Sequence, residues 1–317
     1  VDTAALRLTL RANDPIEVPA FAGAMVRGGF GVAFKHVSCP LRRQPCETCL
    51  LAPSCVYQHI FETPVPEGCP LLPVGGKAPH PYVIEPPDGG RQVVAPGETC
   101  QVGLILIGRA IGQLPYFLYA FRRLGEMGLG RGRGRFVVEA ADLTAPDGIP
   151  RPVYRDDDVN LATEPHGTAL PTLPESPPAP PSAASETLTV HLPTPLRLKE
   201  GGRYGQRLTF PVLVKHLLRR LALLHACHGE GIPPWDHRAW LGAAEAIAVV
   251  EDATVWCDWE RYSTRQRVSM RLGGWTGQVT FAGPWRPFAP LLHAGEIVHL
   301  GQGTTFGLGR IVIETSV

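Results

Sequence analysis

Residues Glu98–Leu143 read ETCQVGLILIGRAIGQLPYFLYAFRRLGEMGLGRGRGRFVVEAADL, and three patterns follow one another along them. Glu98–Ile107 opens on polar residues and continues as the apolar run Val102–Ile107, which predicts a strand. Leu114–Met127 predicts a helix, with Pro115 in the first turn, where its missing N–H does little harm. Arg135–Leu143 predicts a second strand. Upstream, Ala5–Arg11 alternates like a strand, and Phe21–His36 has helical apolar spacing although glycines interrupt it. Tyr82–Glu85 is a further short strand. The order is therefore β-α-β-β-α-β.

The second half repeats this order more loosely. Thr187–Leu198 predicts a strand, and Phe210–His225 a strongly amphipathic helix carrying Val212, Leu213, Leu217, Leu221 and Leu224 on one side. Ala246–Trp259 and Thr276–Phe281 predict strands, Phe288–His293 a short helix and Arg310–Thr315 a final strand. The expected fold is α+β: tandem ferredoxin-like (RRM-like) β-α-β-β-α-β domains. The topology repeats without a clear repeat of sequence. The expected boundaries are an N-terminal domain over 1–161 with a Cys-rich insertion at 39–69, a Pro-rich linker or loop at 162–186, and a C-terminal domain over 187–317. The linker reading rests on Pro165, Pro171, Pro174, Pro177, Pro178, Pro180 and Pro181 among Ser, Ala and Thr.

Composition agrees with two folded domains. The chain has 317 residues, 44% of them hydrophobic and 19% charged, which excludes global disorder. The longest clean apolar run, near 102–108, is far short of the ~20 residues a membrane-spanning helix needs. Residues 1–30 lack a charged head followed by an apolar block, so the expectation is a cytoplasmic protein without secretory signal or membrane contact. With 35 Gly and 33 Pro, about a fifth of the chain is one or the other. The basic residues are 26 Arg and 4 Lys. A GC-rich genome accounts for that bias as readily as phosphate recognition does. The net charge of +1 advertises no polyanion partner, so local clusters must carry that argument.

Cys39, Cys46, Cys49 and Cys55 fall in the pattern C-x6-C-x2-C-x5-C, in a segment broken by Pro40, Pro45 and Pro53. The Cys46–Cys49 spacing lets two thiolates converge on one ion. Three readings fit: a tetrahedral structural zinc on these four residues, free reduced thiols, or a ligand set in which His59 or Cys69 replaces one cysteine. Four cysteine ligands would leave no open coordination position for catalysis. Cys100, Cys227 and Cys257 sit in apolar contexts as core residues.

Three segments combine glycine or arginine with little acid nearby. Gly301, Gly303, Gly307 and Gly309 precede Arg310 just before the last strand, and such glycines permit close backbone approach to a ligand or a tightly packed turn. The run lacks the Lys-Ser/Thr ending and following helix of a nucleotide P-loop, which disfavours ATP. Arg131, Arg133 and Arg135 alternate with glycines in Gly128–Arg135. Arg261, Arg265, Arg267 and Arg271 flank Tyr262 and Gln266. Each can be a solvated edge. Together they suit backbone contacts to single-stranded or hairpin RNA on a β-sheet platform.

Several of these pieces together resemble a known family. They are Arg27-Gly28-Gly29-Phe30-Gly31 leading to Cys39, the four-Cys insertion ending Cys55-Val56-Tyr57 with Phe61-Glu62, Gly112–Phe117, Gly128–Phe136, Tyr262–Gln266 and Gly301–Arg310. The chain resembles the CRISPR-associated endoribonucleases of the RAMP superfamily, in a branch with a four-Cys insertion. The resemblance implies metal-independent cleavage of precursor CRISPR RNA within its repeats, leaving a 2′,3′-cyclic phosphate and a 5′-OH. It implies a catalytic His near the end of the first helix, the place of His36, with Lys35 and Arg27 as cationic neighbours. Imidazole titrates near neutrality and suits proton transfer there. His299 is a second candidate, and His225 and His228 read as structural. The expected RNA contacts are Arg131, Arg133, Arg135, Arg265, Gln266, Arg267, Gly301, Gly303, Gly307, Gly309 and Arg310. Expected partners are repeat RNA and other CRISPR effector subunits. The alternatives are a non-catalytic RAMP-type RNA-binding subunit and the processing module of a larger fusion.

Overall fold

The computed structural model describes residues 1–42, 44–73, 75–144, 148–156, 166–179, 186–263 and 268–315, with side chains left aside at 260–272. The chain divides into two units, 1–169 with 226–230, and 170–225 with 231–317.

The first unit contains β1 (Asp2–Ala12), β2 (Ile16–Val18), α1 (Gly23–Ser38), β3 (Tyr82–Glu85), β4 (Gln92–Val94), β5 (Thr99–Ile107), α2 (Leu114–Met127), β6 (Phe136–Thr144), β7 (Pro150–Arg155) and β8 (Thr168–Ala169). Its main sheet runs β3-β5-β1-β6-β7, with β8 added on β1, and β2 pairs with β4 separately. The first four places in that order are the ferredoxin-like arrangement, and every pairing is antiparallel. β1 is central because it is apolar at alternate positions: Leu6, Leu8 and Leu10 are buried, while Arg7 and Arg11 point to solvent. α2 buries Leu114, Phe117, Leu118, Phe121 and Leu124, the spacing of one helical face, and ends at Gly128. α1 forms despite its glycines because packing outweighs propensity. A Cβ at Gly29 would lie 2.7 Å from Leu124 of α2, so the small residue permits the close helix–helix approach.

The second unit contains β9 (Glu186–Leu196), all but the last three residues of α3 (Phe210–His228), α4 (His237–Ala244), β10 (Ala248–Asp252), β11 (Val255–Ser263), β12 (Val268–Gly283), α5 (Ala289–Val298) and β13 (Val312–Thr315). Its sheet order β10-β12-β9-β13 repeats the ferredoxin-like arrangement, with β11 also paired to β12. The core is formed by Leu188, Val190, Leu213, Leu217 and Leu221 with Phe210, Phe281 and Phe288.

The α+β tandem architecture stands as expected, with local corrections. The strand expected over Ala246–Trp259 is two strands, because the Asp252 carboxylate accepts from both Thr254 N–H (3.1 Å) and Thr254 Oγ1 (2.6 Å) and turns the chain. β12 is far longer than the expected Thr276–Phe281, its first half hidden by polar residues and glycines. α4 is only eight residues long, too short for its apolar period to stand out in the sequence; Asp236 starts it by accepting from Arg238 and Ala239 N–H. Within the Pro-rich segment, Thr168–Ala169 pairs with Asp2 and Thr3, and Leu170 and Leu173 are buried.

Candidate nucleic-acid interface

The first unit's candidates start on α1. Arg27, Gly31 and Lys35 recur every four residues and share one side of the helix. That side faces the Cys-rich insertion. The Arg27 guanidinium lies 5.0 Å from the Phe61 ring centre and the Lys35 ammonium 5.3 Å from that of Tyr57. Tyr57 and Phe61 stack on each other at 5.2 Å with planes 4° apart. Gly31 leaves room for the Phe61 ring, which a Cβ would meet at 3.1 Å. Behind them Tyr82 is fully buried, and burial pushes its phenol up to about 12 against the opposing pull of Arg27. Arg27 and Lys35 therefore clamp the insertion to the helix. His36, about 100° further round, is exposed in the last turn of α1. Among the described residues nothing bonds its ring. The three expected catalytic residues lie on one helix, but the geometry separates His36 from the other two.

The insertion is anchored by Ile60 and Phe61, both in the core of this unit. Between residues 46 and 55 its backbone makes only short local turns, such as Cys49 N–H to the Cys46 carbonyl and Cys55 N–H to the Ala52 carbonyl. Cys39, Cys46, Cys49 and Cys55 are free and half-buried. Burial pushes the Cys46 thiol up; Lys35 pulls it down, and Glu62, Cys39 and Cys55 push it up further. These groups share one neighbourhood, yet among the described residues no three His, Cys, Asp or Glu side chains are grouped to hold a metal ion. In this arrangement the four thiols do not form a coordination shell.

The Gly/Arg run forms a tight turn closed by the Leu129–Gly134 bridge, with Gly134 buried and Arg131 and Arg133 exposed at its tip. Arg135 is engaged elsewhere: its Nε donates to Asp14 Oδ2 at 2.7 Å. The pair holds the Asp14 carboxyl below its usual range.

The second unit carries the glycine-rich turn between α5 and β13. His299 is fully buried, has φ 55° and lies with Nδ1 3.2 Å from the Leu308 carbonyl. Backbone bonds hold the turn: Leu300 N–H to Gly309 O, Gln302 N–H to Arg197 O, Gly309 N–H to Pro195 O and Phe306 N–H to Gly303 O. At Gly309, φ is 71° and a Cβ would fall 1.7 Å from the Leu300 carbonyl oxygen, so only glycine fits. Arg310 N–H donates to Thr194 Oγ1. Beneath the turn, Arg220 of α3 donates to the Val298 carbonyl (3.1 Å) and to Thr304 Oγ1 (3.3 Å). Burial pulls its pKa down to about 10, and among the described residues no carboxylate pairs with it. The expected contacts Arg265, Gln266 and Arg267 lie outside the described residues. Sequence reasoning missed Arg220, because an arginine on a helix otherwise read for its leucines carries no local mark. It also missed Arg197 and Tyr204, whose signal was the basic and aromatic stretch Lys199–Arg207.

Two ferredoxin-like halves, the second closed by a glycine-rich turn before its last strand, define the class as a tandem ferredoxin-like α+β protein. The comparisons narrow the class. Residues 1–166 match the family model of the AF_1859_N N-terminal domain, and residues 190–311 match that of the CRISPR-associated endoribonuclease Cas6. The chain is 25% identical to an uncharacterized protein of Archaeoglobus fulgidus, over 98% of this chain and 97% of that one. In fold it is similar to the Thermus thermophilus Cas6 (TTHB231) product complex, with TM-score 0.56, 16% identity and 99% of each chain covered. It is likewise similar to a partial Cas6-RT-Cas1–Cas2 complex, with TM-score 0.57 and 16% identity, covering 100% of this chain and 46% of that one. Over residues 1–166, more than half of its length, the chain belongs to the AF_1859_N family, and its residues 190–311 are Cas6-like. Among the described residues, no helix is long and apolar enough to cross a membrane.

Proposed function

We propose that this protein cuts precursor CRISPR RNA within its repeats by metal-independent transesterification. The observation that carries this reading is the match of residues 190–311 to the Cas6 endoribonuclease domain. In the reaction the 2′-OH upstream of the scissile bond gives up its proton and attacks phosphorus. The new P–O2′ bond forms as the P–O5′ bond breaks, and the departing 5′ oxygen takes up a proton. The products are a 2′,3′-cyclic phosphate and a 5′-OH, and no hydrolytic water takes part. His36 is the proton-transfer group: it is exposed and nothing among the described residues occupies it. Lys35 is the adjacent cation, and Arg27 holds the neighbouring wall through Phe61. Arg131, Arg133 and the turn Gly301–Arg310 contact the RNA backbone.

The test is single-turnover incubation of end-labelled repeat RNA in EDTA. One discrete cut is expected, with a 3′ end that resists phosphatase until acid opens the cyclic ester. RNA that is bound but left intact would overturn cleavage in favour of a non-catalytic crRNA-binding subunit. Strict Mg²⁺ dependence would overturn the mechanism. Association with other CRISPR proteins is a further part of the proposal, supported by the occurrence of this fold in a Cas6-RT-Cas1–Cas2 complex. Co-purification with effector subunits tests it.

A further inference from the structure

Within the second unit, two tryptophans meet across paired strands, and the connection carrying Tyr204 packs beside them and bonds the glycine-rich turn. Trp256 of β11 and Trp275 of β12 are directly opposite in the strand register, their rings edge to face at 5.2 Å. Tyr204, in the connection from β9 to α3, joins them through its neighbour: a Cβ at Gly205 would lie 3.8 Å from the Trp256 ring. All three are only half-buried.

Their polar edges are already satisfied. Trp256 Nε1 donates to Asp258 Oδ1 (3.0 Å), Trp275 Nε1 to the Gln206 carbonyl (3.0 Å) and the Tyr204 hydroxyl to Gln302 Oε1 (2.8 Å). Gln302 belongs to the glycine-rich turn and donates its own N–H to Arg197 O. Arg197 in turn lies 3.9 Å from the Tyr204 ring centre and donates to the Gly273 carbonyl. Trp256 lies over Gly273, where a Cβ would come within 2.4 Å of its ring. Filling the space above a strand glycine is the ordinary reason for such a ring. That reason does not explain a second tryptophan and a tyrosine beside it, each pinned at one polar atom and left partly open to solvent.

The charges around the cluster are mostly basic. Lys199, Arg203 and Arg207 are exposed on the same connection, with Arg197 half-exposed. Of the nearby carboxylates, Glu200 is engaged by Lys215 (2.8 Å) and His216 (2.6 Å), and Asp258 keeps its charge while accepting from Trp256 at the far edge of that ring. Rings fixed in orientation and rimmed by cations that no carboxylate pairs among the described residues are what unpaired nucleobases on a phosphate backbone require. An apolar protein partner would need no such rim.

We propose that Tyr204, Trp256 and Trp275 form a stacking platform for single-stranded RNA bases beside the glycine-rich turn. The proposal deepens the RNA-processing reading and rests on it for the identity of the polymer. Base stacking is sequence-tolerant, because every base has a π-face, so the platform takes unpaired nucleotides and not duplex.

The experiment titrates the protein with a 12-nucleotide oligoadenylate that contains no repeat, following tryptophan fluorescence and, separately, affinity. Quenching by the single strand, and little by the same strand annealed to its complement, is expected. Trp256→Leu with Trp275→Leu should abolish most of the quench and weaken binding about tenfold or more, whereas Trp256→Phe with Trp275→Phe should keep the affinity. Tyr204→Leu should weaken binding several-fold at a nearly unchanged melting temperature, and Tyr204→Phe, which keeps the ring and drops only the bond to Gln302, should keep the affinity. Unchanged affinity in Tyr204→Leu, or in the Leu pair at an unchanged melting temperature, overturns the platform, as does equal quenching by duplex. Cleavage of repeat RNA is read in parallel. Wild-type protein that cuts repeat RNA while the platform variants bind oligoadenylate normally overturns the platform alone. Protein that stacks the oligonucleotide and leaves repeat RNA whole supports the platform and overturns cleavage.

Discussion

The four-Cys insertion and the glycine-rich turn are the two most distinctive loops of the sequence, and they are held in opposite ways. The insertion is anchored by side chains: Ile60 and Phe61 enter the core, Tyr57 stacks on Phe61, and Arg27 and Lys35 lie on the two rings. The turn is held by its backbone, bonded to residues 195, 197, 300 and 303. Their histidines differ accordingly. His36 beside the insertion is exposed, and His299 at the turn is fully buried. A loop hung on a few side chains can keep an adjacent group accessible. A loop built largely on backbone bonds has its path determined along most of its length, and a side chain buried inside it belongs to the scaffold.

The largest expected effect separates the two histidines. His36→Ala should lose about 10²–10⁴-fold in single-turnover cleavage, with repeat-RNA affinity and melting temperature nearly unchanged. His299→Ala should lower the melting temperature first. Loss of stability in both variants, or full cleavage by His36→Ala, would erase the distinction.

Next come the anchors. Phe61→Ala should cost roughly 3–5 kcal/mol in denaturant unfolding, the usual range for a fully buried ring. Phe61 is 6% exposed and packs against Phe30, Phe34 and Tyr82 within 6 Å. A cost below about 1 kcal/mol would mean that the insertion is not hung on this ring.

Glycine substitutions sharpen the backbone side of the comparison. Gly309→Ala should cost roughly 3 kcal/mol, since it combines positive φ with a backbone clash. Gly28→Ala should stabilise by about 0.5–1 kcal/mol, because a Cβ there meets nothing within 4 Å and helix propensity improves. Equal effects in thermal melts would contradict the contrast.

A structural zinc is still expected from the cysteine spacing. Its binding must draw the four thiols closer than they now stand. About one zinc per chain should appear in elemental analysis of the reduced protein, with cleavage resistant to EDTA. Metal-free protein would leave the reduced-thiol reading. The smallest effect concerns the Gly/Arg turn. Arg131→Ala or Arg133→Ala should each flatten the salt dependence of RNA binding by roughly one unit of slope. Arg135→Ala should do less, because Asp14 already engages that guanidinium. Equal slopes for all three would show that the ion pair opens on binding.

Element order was legible in the sequence, and the reason is local. Strand alternation in β1, the apolar face of α2 and the long amphipathic α3 each follow from residues a few positions apart, so periodicity reveals them one at a time. The short β2, β4 and β7 were not, because two prolines in β7 and three-residue lengths elsewhere carry no period. The candidate site was legible as residue types: cysteines at knuckle spacing, glycines before the last strand, arginines in a run, a histidine at a helix end. Only the tertiary structure decided their use. It turned Arg27 and Lys35 onto the rings of the insertion and left His36 outside. It tied Arg135 to Asp14, 121 positions away, and brought Arg220 to Thr304, 84 positions away. It also paired Trp256 with Trp275 and brought the connection carrying Tyr204 beside them. Such contacts depend on strand register and on which helix face turns inward, and both are settled by burying the core as a whole rather than by any neighbouring run of sequence.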